Sequence, residues 1–182
     1  MSMTNLGLSE IRPQQKISDE YLLDPNGKIV WNIVNDDVMG GVSRANFVHN
    51  ERDKYWTFQG NISLANNGGF ASIRIKPDHI DYSQFKGIEL KVRGDGKTYG
   101  VSLNEDHYFT GFYYHHSFTT RREDWMIVRI DFDLFSPKYF GRPFDYQRKV
   151  DRTQIKEISL MISDKQEGEF HLEIAWIKLL PR

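Results

Sequence analysis

The segment Asn35-Asp36-Asp37-Val38-Met39-Gly40-Gly41-Val42-Ser43 is the densest concentration of chemistry-bearing residues in the chain. Asp36 and Asp37 offer oxygen atoms of the kind that hold a calcium ion or orient a polar ligand, yet the spaced ligands of a calcium loop are not spelled out around them. The same residues also fit a tight strand connection, in which Asn and Asp bond their own turn amides and Gly40 and Gly41 allow positive φ. Two further clusters share this character: Asn66-Asn67-Gly68-Gly69-Phe70-Ala71-Ser72 and Arg93-Gly94-Asp95-Gly96-Lys97-Thr98-Tyr99. Gly94-x-Gly96 is half of a dinucleotide fingerprint, but the third glycine is missing and no helix opens after it, so that route is not expected.

Arg74 lies between Ile73 and Ile75, and Arg93 follows Val92. If the aliphatic neighbours face the core, both guanidinium groups leave on the polar side of their strands. There they either pair with carboxylates across strands or receive an anion or a protein partner. Together with Asp36, Asp37, Asp95, Tyr99 and Asp164 they are expected to form one candidate binding surface at the rim of the fold. A structural ion-pair network stitching the turns is the competing reading.

Catalytic signatures are absent from the sequence. It has no Gly-x-Ser-x-Gly elbow, no phosphate-binding Gly-Lys-Ser or Gly-Lys-Thr loop, no His-Glu-x-x-His pair and no cysteine. His115 and His116 are adjacent on an expected strand, so they point to opposite faces and cannot share one metal. The chain is therefore expected to be a binding domain and not an enzyme, with no catalytic residue, no metal and no cofactor. Tyr99, Tyr113 and Trp125 offer flat apolar faces to a sugar ring, which keeps a carbohydrate-binding module open as the alternative. A sugar-active enzyme using two of the turn carboxylates Asp36, Asp37, Asp95 and Asp164 is the remote one.

These residues must be positioned by strands. Trp56, Phe58, Ile62 and Leu64 alternate with Tyr55, Thr57, Gln59, Asn61 and Ser63, a period of two, and the pattern recurs at 88–93, 99–103, 158–162 and 169–176. With less regular candidates at 29–34, 42–48, 70–75, 112–118 and 125–132, about ten strands separated by turns are expected. No long helical pattern competes. Antiparallel strands with one polar face each pack as two sheets, so an all-β jelly-roll sandwich is predicted. Residues 1–28 read as an N-terminal extension with at most one helical turn near 19–23, and 29–182 as the single sandwich domain. Residues 136–152 read as a long polar and aromatic crossover. Trp56, Phe58, Leu90, Val92, Leu172 and Trp176 are expected in the core.

Composition agrees. The chain has 182 residues, 39% hydrophobic and 27% charged, which suits one packed domain. Lys plus Arg number 24 against 25 Asp plus Glu, so no net field draws in nucleic acid. No apolar run reaches the roughly 20 residues that span a bilayer, so no transmembrane segment is expected. The N-terminus lacks the apolar core of a secretory signal and makes a poor mitochondrial presequence, and with the lack of cysteine this suggests a cytoplasmic location.

Taken in order, the clusters resemble a known family. Trp31 with Asn35-Asp36-Asp37-Val38-Met39-Gly40-Gly41-Val42-Ser43 leads to Phe58-x-Gly60-x-Ile62-Ser63-Leu64 and Asn66-Asn67-Gly68-Gly69-Phe70-Ala71-Ser72. Arg93-Gly94-Asp95-Gly96-Lys97-x-Tyr99, Trp125, Phe135-x-Pro137 with Gly141-Arg142, and Ile162-Ser163-Asp164-Lys165-Gln166-x-Gly168-x-Phe170 follow. This series, from about Trp31 to Ile177, resembles the thirty-kilodalton complex I intermediate-associated protein family. The resemblance implies a galactose-binding-domain-like jelly roll. It also implies an assembly factor that docks on intermediates of the respiratory NADH:ubiquinone oxidoreductase.

Overall fold

The computed structural model describes residues 21–25, 31–77, 80–106 and 110–182. Thirteen strands are present among them: β1 (Tyr21–Leu23), β2 (Asn32–Asn35), β3 (Arg44–Asn50), β4 (Tyr55–Ile62), β5 (Ala71–Ile75), β6 (Phe85–Gly94), β7 (Thr98–Asn104), β8 (Phe112–Thr119), β9 (Met126–Asp131), β10 (Ser136–Tyr139), β11 (Arg142–Pro143), β12 (Glu157–Ile162) and β13 (Gly168–Pro181). They form a six-stranded sheet, ordered β3-β4-β13-β6-β9 with β1 also on β13, and a seven-stranded sheet, ordered β11-β10-β8-β7-β12-β5-β2. Neighbouring strands pair antiparallel throughout. The architecture is the predicted all-β two-sheet sandwich.

Alternation creates the core. Trp56, Phe58 and Ile62 of β4, Ile88, Leu90 and Val92 of β6, and Ile158, Leu160 and Ile162 of β12 turn inward and are buried, while their strand neighbours face out. The ten expected strand regions all contain strands. The three additional ones, β1, β10 and β11, are two to four residues long, too short to show a period of two. Leu22 and Leu23 of β1 are core residues, so the sandwich takes in residues expected in the N-terminal extension. Two indoles clamp this segment: Trp31 Nε1 donates to the Leu22 carbonyl at 2.8 Å and Trp56 Nε1 to that of Asp24 at 3.0 Å. The expected helical turn near 19–23 is replaced by strand at 21–23; the residues before it lie outside the described residues.

One expected core residue is corrected. On β13, Ile174 pairs with Val92 but the next register partner is Trp176 with Lys91, a bulge at Ala175. Phe170, Leu172 and Ile174 point inward before it, Ile177 and Leu179 after it. The extra residue inverts the phase. Trp176 is therefore half-buried on the outer face, with Lys178 Nζ 4.6 Å from its ring centroid.

The pairing gathers loops at two ends. The β2–β3, β4–β5, β6–β7 and β12–β13 connections share one rim, since Asn35 pairs with Ala71, Ala71 with Ile162, Ile62 with Gly168 and Gly94 with Leu172. The β10–β11 hairpin points to the other end, because Tyr139 pairs with Phe112 at the start of β8. Among the described residues no helix is long and apolar enough to cross a membrane.

Candidate functional site

At the shared rim the Asp36 carboxylate is fully buried and joins two connections. Its Oδ1 accepts from the Ser43 amide at 3.0 Å. Its Oδ2 accepts from Ser43 Oγ at 2.6 Å, the Gly69 amide at 2.7 Å and the Phe70 amide at 3.4 Å. A Cβ at Gly41 would overlap this carboxylate, and one at Gly68 would sit 2.5 Å from Oδ2. Glycine is thus required for the backbone to close on the charge, while Gly40 and Gly69 carry φ of +85° and +131°. Burial pushes the Asp36 carboxyl up, but the bonds from Ser43, Gly69 and Phe70 outweigh it and hold the group below its ordinary value. Asp36 is a structural pin. Asp37 beside it is exposed.

Asp95 works similarly. Oδ1 accepts from the Lys97 amide at 3.0 Å and Tyr99 Oη at 3.2 Å, and Oδ2 from the His171 amide at 3.0 Å, tying the β6–β7 turn to β13. Tyr99 is buried, and burial with the Asp95 charge raises its phenol strongly.

The outward face of the seven-stranded sheet carries a different arrangement. The register aligns Arg74, Ser159, Ser102, His115 and Ser136 in one row, and Ser72, Met161, Gly100 and Ser117 in the next. Ser72, Ser102, Asn104, Ser159 and His115 are buried although they point away from the core. Short polar side chains form a floor between the longer Arg74, Tyr113 and Lys138. The His115 ring lies over Gly100, where any Cβ would overlap it. Its Nδ1 meets Ser102 Oγ at 2.8 Å and its Nε2 meets Ser117 Oγ at 2.9 Å. Burial, with the Lys138 charge adding to it, lowers His115 to about 4, so the floor is neutral at physiological pH. Ser102 and His115 stand at the separation of a nucleophile and its base, but the second nitrogen meets a serine where a triad has a carboxylate, and so low a pKa makes a weak base. Asn104 Oδ1, 8% exposed as a residue, has no hydrogen-bond partner among the described residues.

The groove's walls are charged. Arg74 Nε donates to Ser72 Oγ at 3.1 Å and its Nη1 pairs with Glu157 at 3.4 Å. Asp164, exposed at the β12–β13 turn, acts by its charge on Tyr113 and His115; burial first and that charge second push the Tyr113 phenol up. His116, one residue on, faces the other way, and its Nδ1 donates to the Leu134 carbonyl at 3.2 Å, so the two histidines split as predicted.

Arg93 emerges from the six-stranded sheet. Its Nε donates to Glu173, its guanidinium lies 4.9 Å from the Trp125 ring centroid, and His171 Nε2 stands 3.5 Å from Glu173. Arg93, Gly94, Glu123, His171 and Glu173 line a shallow depression of about 460 Å³. Burial raises the Glu173 carboxyl, and the bonds from Arg93 and His171 more than offset it, leaving it lowered.

The seven expected residues therefore do not share one surface. Asp36, Asp37, Asp95, Tyr99 and Asp164 gather at the rim, whereas Arg74 and Arg93 leave through opposite faces of the sandwich because their strands belong to different sheets. Only Arg74 and Asp164 border the groove. The floor residues Ser102, Asn104 and Ser159 escaped sequence reasoning. The available signal was small polar residues where outward positions of β7 and β12 ordinarily carry long charged ones.

Comparison with known proteins gives a family match across residues 22–174, to complex I intermediate-associated protein 30. A mouse mitochondrial protein of that name is 36% identical over 101 residues, covering 53% of this chain and 31% of the mouse protein. A Caenorhabditis briggsae protein named as a probable mitochondrial member is 28% identical over 179 residues, covering 87% of this chain and 52% of that protein. The chain thus spans about half or less of these relatives. Among solved structures, the family 11 carbohydrate-binding module of the Clostridium thermocellum cellulosomal cellulase Lic26A-Cel5E superposes with TM-score 0.70 at 16% identity, over 92% of this chain and 97% of that one. The family 11 module in complex with a β-1,3-1,4-mixed-linked tetrasaccharide gives 0.65 at 18%, over 89% and 95%. This likeness shows the fold, a two-sheet jelly-roll sandwich, and only that. The cytoplasmic location is corrected: relatives from mouse, nematodes and fruit fly are all named mitochondrial.

Proposed function

This chain belongs to the complex I intermediate-associated protein 30 family, and from that premise we propose that it is a docking domain that holds a protein partner while respiratory complex I is assembled in mitochondria. The observation that carries this reading is the extent of the family match, which runs from β1 into β13 and so takes in both sheets. The fold supports it physically. A rim pinned through Asp36 and Asp95 holds the connections rigid, and a rigid surface loses less entropy when a partner binds. Asp37, Arg74 and Asp164 then present charge to that partner from fixed strands and turns. The test is a tagged full chain expressed in mitochondria lacking it, followed by native electrophoresis. Comigration with complex I subunits below the mass of the finished complex is expected. A chain that runs only as free protein, with complex I levels unchanged by its loss, refutes the reading.

A second reading has its own observation in the groove. A neutral floor containing Asn104 Oδ1 without a partner among the described residues, bordered by the Tyr113 ring, has the chemistry to receive a hydroxyl-rich ligand such as an oligosaccharide. Titration calorimetry with mixed-linked β-glucan oligosaccharides and a glycan array would detect it. Binding weakened by Asn104→Ala and Tyr113→Ala supports it, and no binding in either assay removes it.

A further inference from the structure

Residues 139–149, the tip of the β10–β11 hairpin and the segment after it, are exposed without interruption. Four of them are aromatic: Tyr139 is 45% exposed, Phe140 56%, Phe144 45% and Tyr146 41%. They hold one another in place. Ring centroids lie 4.8 Å apart for Tyr139 and Phe140, 5.7 Å for Tyr139 and Phe144, and 6.1 Å for Phe144 and Tyr146, and the last two also pack on Phe112 at 6.0 and 5.4 Å. Rings braced in this way do not fold back into the core. An exposed apolar cluster of this kind marks a contact surface.

Cations outnumber carboxylates beside it. Lys138 and Arg142 flank the tip and form no ion pair with any described residue, and Arg148 and Lys149 follow. Arg148 pairs with Glu105 and Lys149 Nζ donates to the Asp133 carbonyl at 3.0 Å, fixing the base of the segment. The one carboxylate in the stretch, Asp145, accepts from Gln147 Nε2 at 3.0 Å. We propose that this aromatic and cationic tip is a membrane-contact surface that seats on an anionic phospholipid bilayer.

Three points favour a bilayer over a protein. Phenol and phenyl groups beside Lys and Arg are the residues that settle at the boundary between headgroups and acyl chains, rings inward and cations at the phosphates. The surface is small: half of four rings of about 150 to 250 Å² each is on the order of 400 Å², against roughly 800 Å² that each partner gives to a standard protein interface. Finally, the tip projects from the end opposite the pinned rim, so it can enter a headgroup layer without moving either sheet. This contact is independent of which partner the domain holds.

Cosedimentation of the full chain with vesicles tests it. Binding is expected to vesicles of phosphatidylcholine mixed with an anionic phospholipid and to fall with added salt, with little binding to phosphatidylcholine alone. Lys138→Glu combined with Arg142→Glu should weaken binding about tenfold or more, and Phe144→Ser combined with Tyr146→Ser should do the same, with thermal melts unchanged for both. No binding to anionic vesicles, or binding that both double variants retain, overturns the proposal. Loss of copurifying complex I subunits from these variants without any vesicle binding makes the tip a protein interface instead, and overturns it equally.

Discussion

At one end of the sandwich the β2–β3 and β4–β5 connections close on the buried carboxylate of Asp36, with donors from Ser43, Gly69 and Phe70. At the other, the residues from 139 to 149 are all exposed, and Lys138 and Arg142 beside the aromatic tip form no ion pair with a described residue. Both are polar, irregular segments between strands, and both drew attention by composition. The difference is where the polar groups find partners. A buried charge persists only when its lone pairs are satisfied by nearby donors, so the chain spends glycines to bring amides in. A surface segment has no such requirement and is free to contact something else. Density of Asp, Asn and Gly therefore marks the framework here, and exposed aromatic residues mark the contact.

The largest effects should arise at the pinned rim. Asp36→Ala leaves the Ser43, Gly69 and Phe70 amides without their acceptor in a buried place, and a loss of about 3 to 5 kcal/mol is expected in denaturant unfolding. Gly41→Ala should cost a similar amount, because the added methyl overlaps that carboxylate. Stability indistinguishable from the parent in either variant would reduce the rim to an ordinary loop and erase the contrast.

A pH titration sharpens it next. His115 is lowered from 6.5 to about 4 on folding. The unfolded chain thus binds the proton first, and stability falls as pH drops from about 6.5 towards 4, by up to about 3 kcal/mol. His115→Gln should remove that part of the slope. Asp36, depressed from 3.8, adds a separate loss only as pH falls below that value through its folded pKa. A flat profile between pH 7 and 4.5 would show that the imidazole is not buried neutral.

Smaller changes are expected on the sheet faces. Arg93→Gln removes the partner of Glu173 at a partly exposed position and should cost roughly 1 kcal/mol. Since Arg74 and Arg93 occupy opposite faces, Arg74→Gln and Arg93→Gln should not both abolish capture of one small ligand. If they do, the ligand reaches around the sandwich or the separation is wrong. The smallest effect belongs to the tip: Phe144→Ser should shift stability by no more than about 0.5 kcal/mol. A larger loss would make the aromatic cluster part of the framework.

Strand positions were legible because alternation is local: Trp56, Phe58 and Ile62 declare their face without knowing any partner. The chemical character of Asp36, its neighbouring glycines and the split of His115 from His116 were visible for the same reason. The phase of Trp176 was not, since one bulged residue inverts a face and only pairing with β6 reveals it. Nor was the groove, whose floor draws Ser72, Ser102, Ser159 and His115 from four strands that become neighbours only through register.

The amino-acid sequence by itself determined the fold class, the strand count to within three short strands, and the family, because each rests on patterns read along the chain. The tertiary structure alone decided that Asp36 is a pin, that Arg74 and Arg93 face apart, and that Lys138 and Arg142 form no ion pair with a described residue. Those outcomes depend on which segments are brought together. A side chain's role is set by the partners that packing gives it, and its identity fixes only what it is able to offer them.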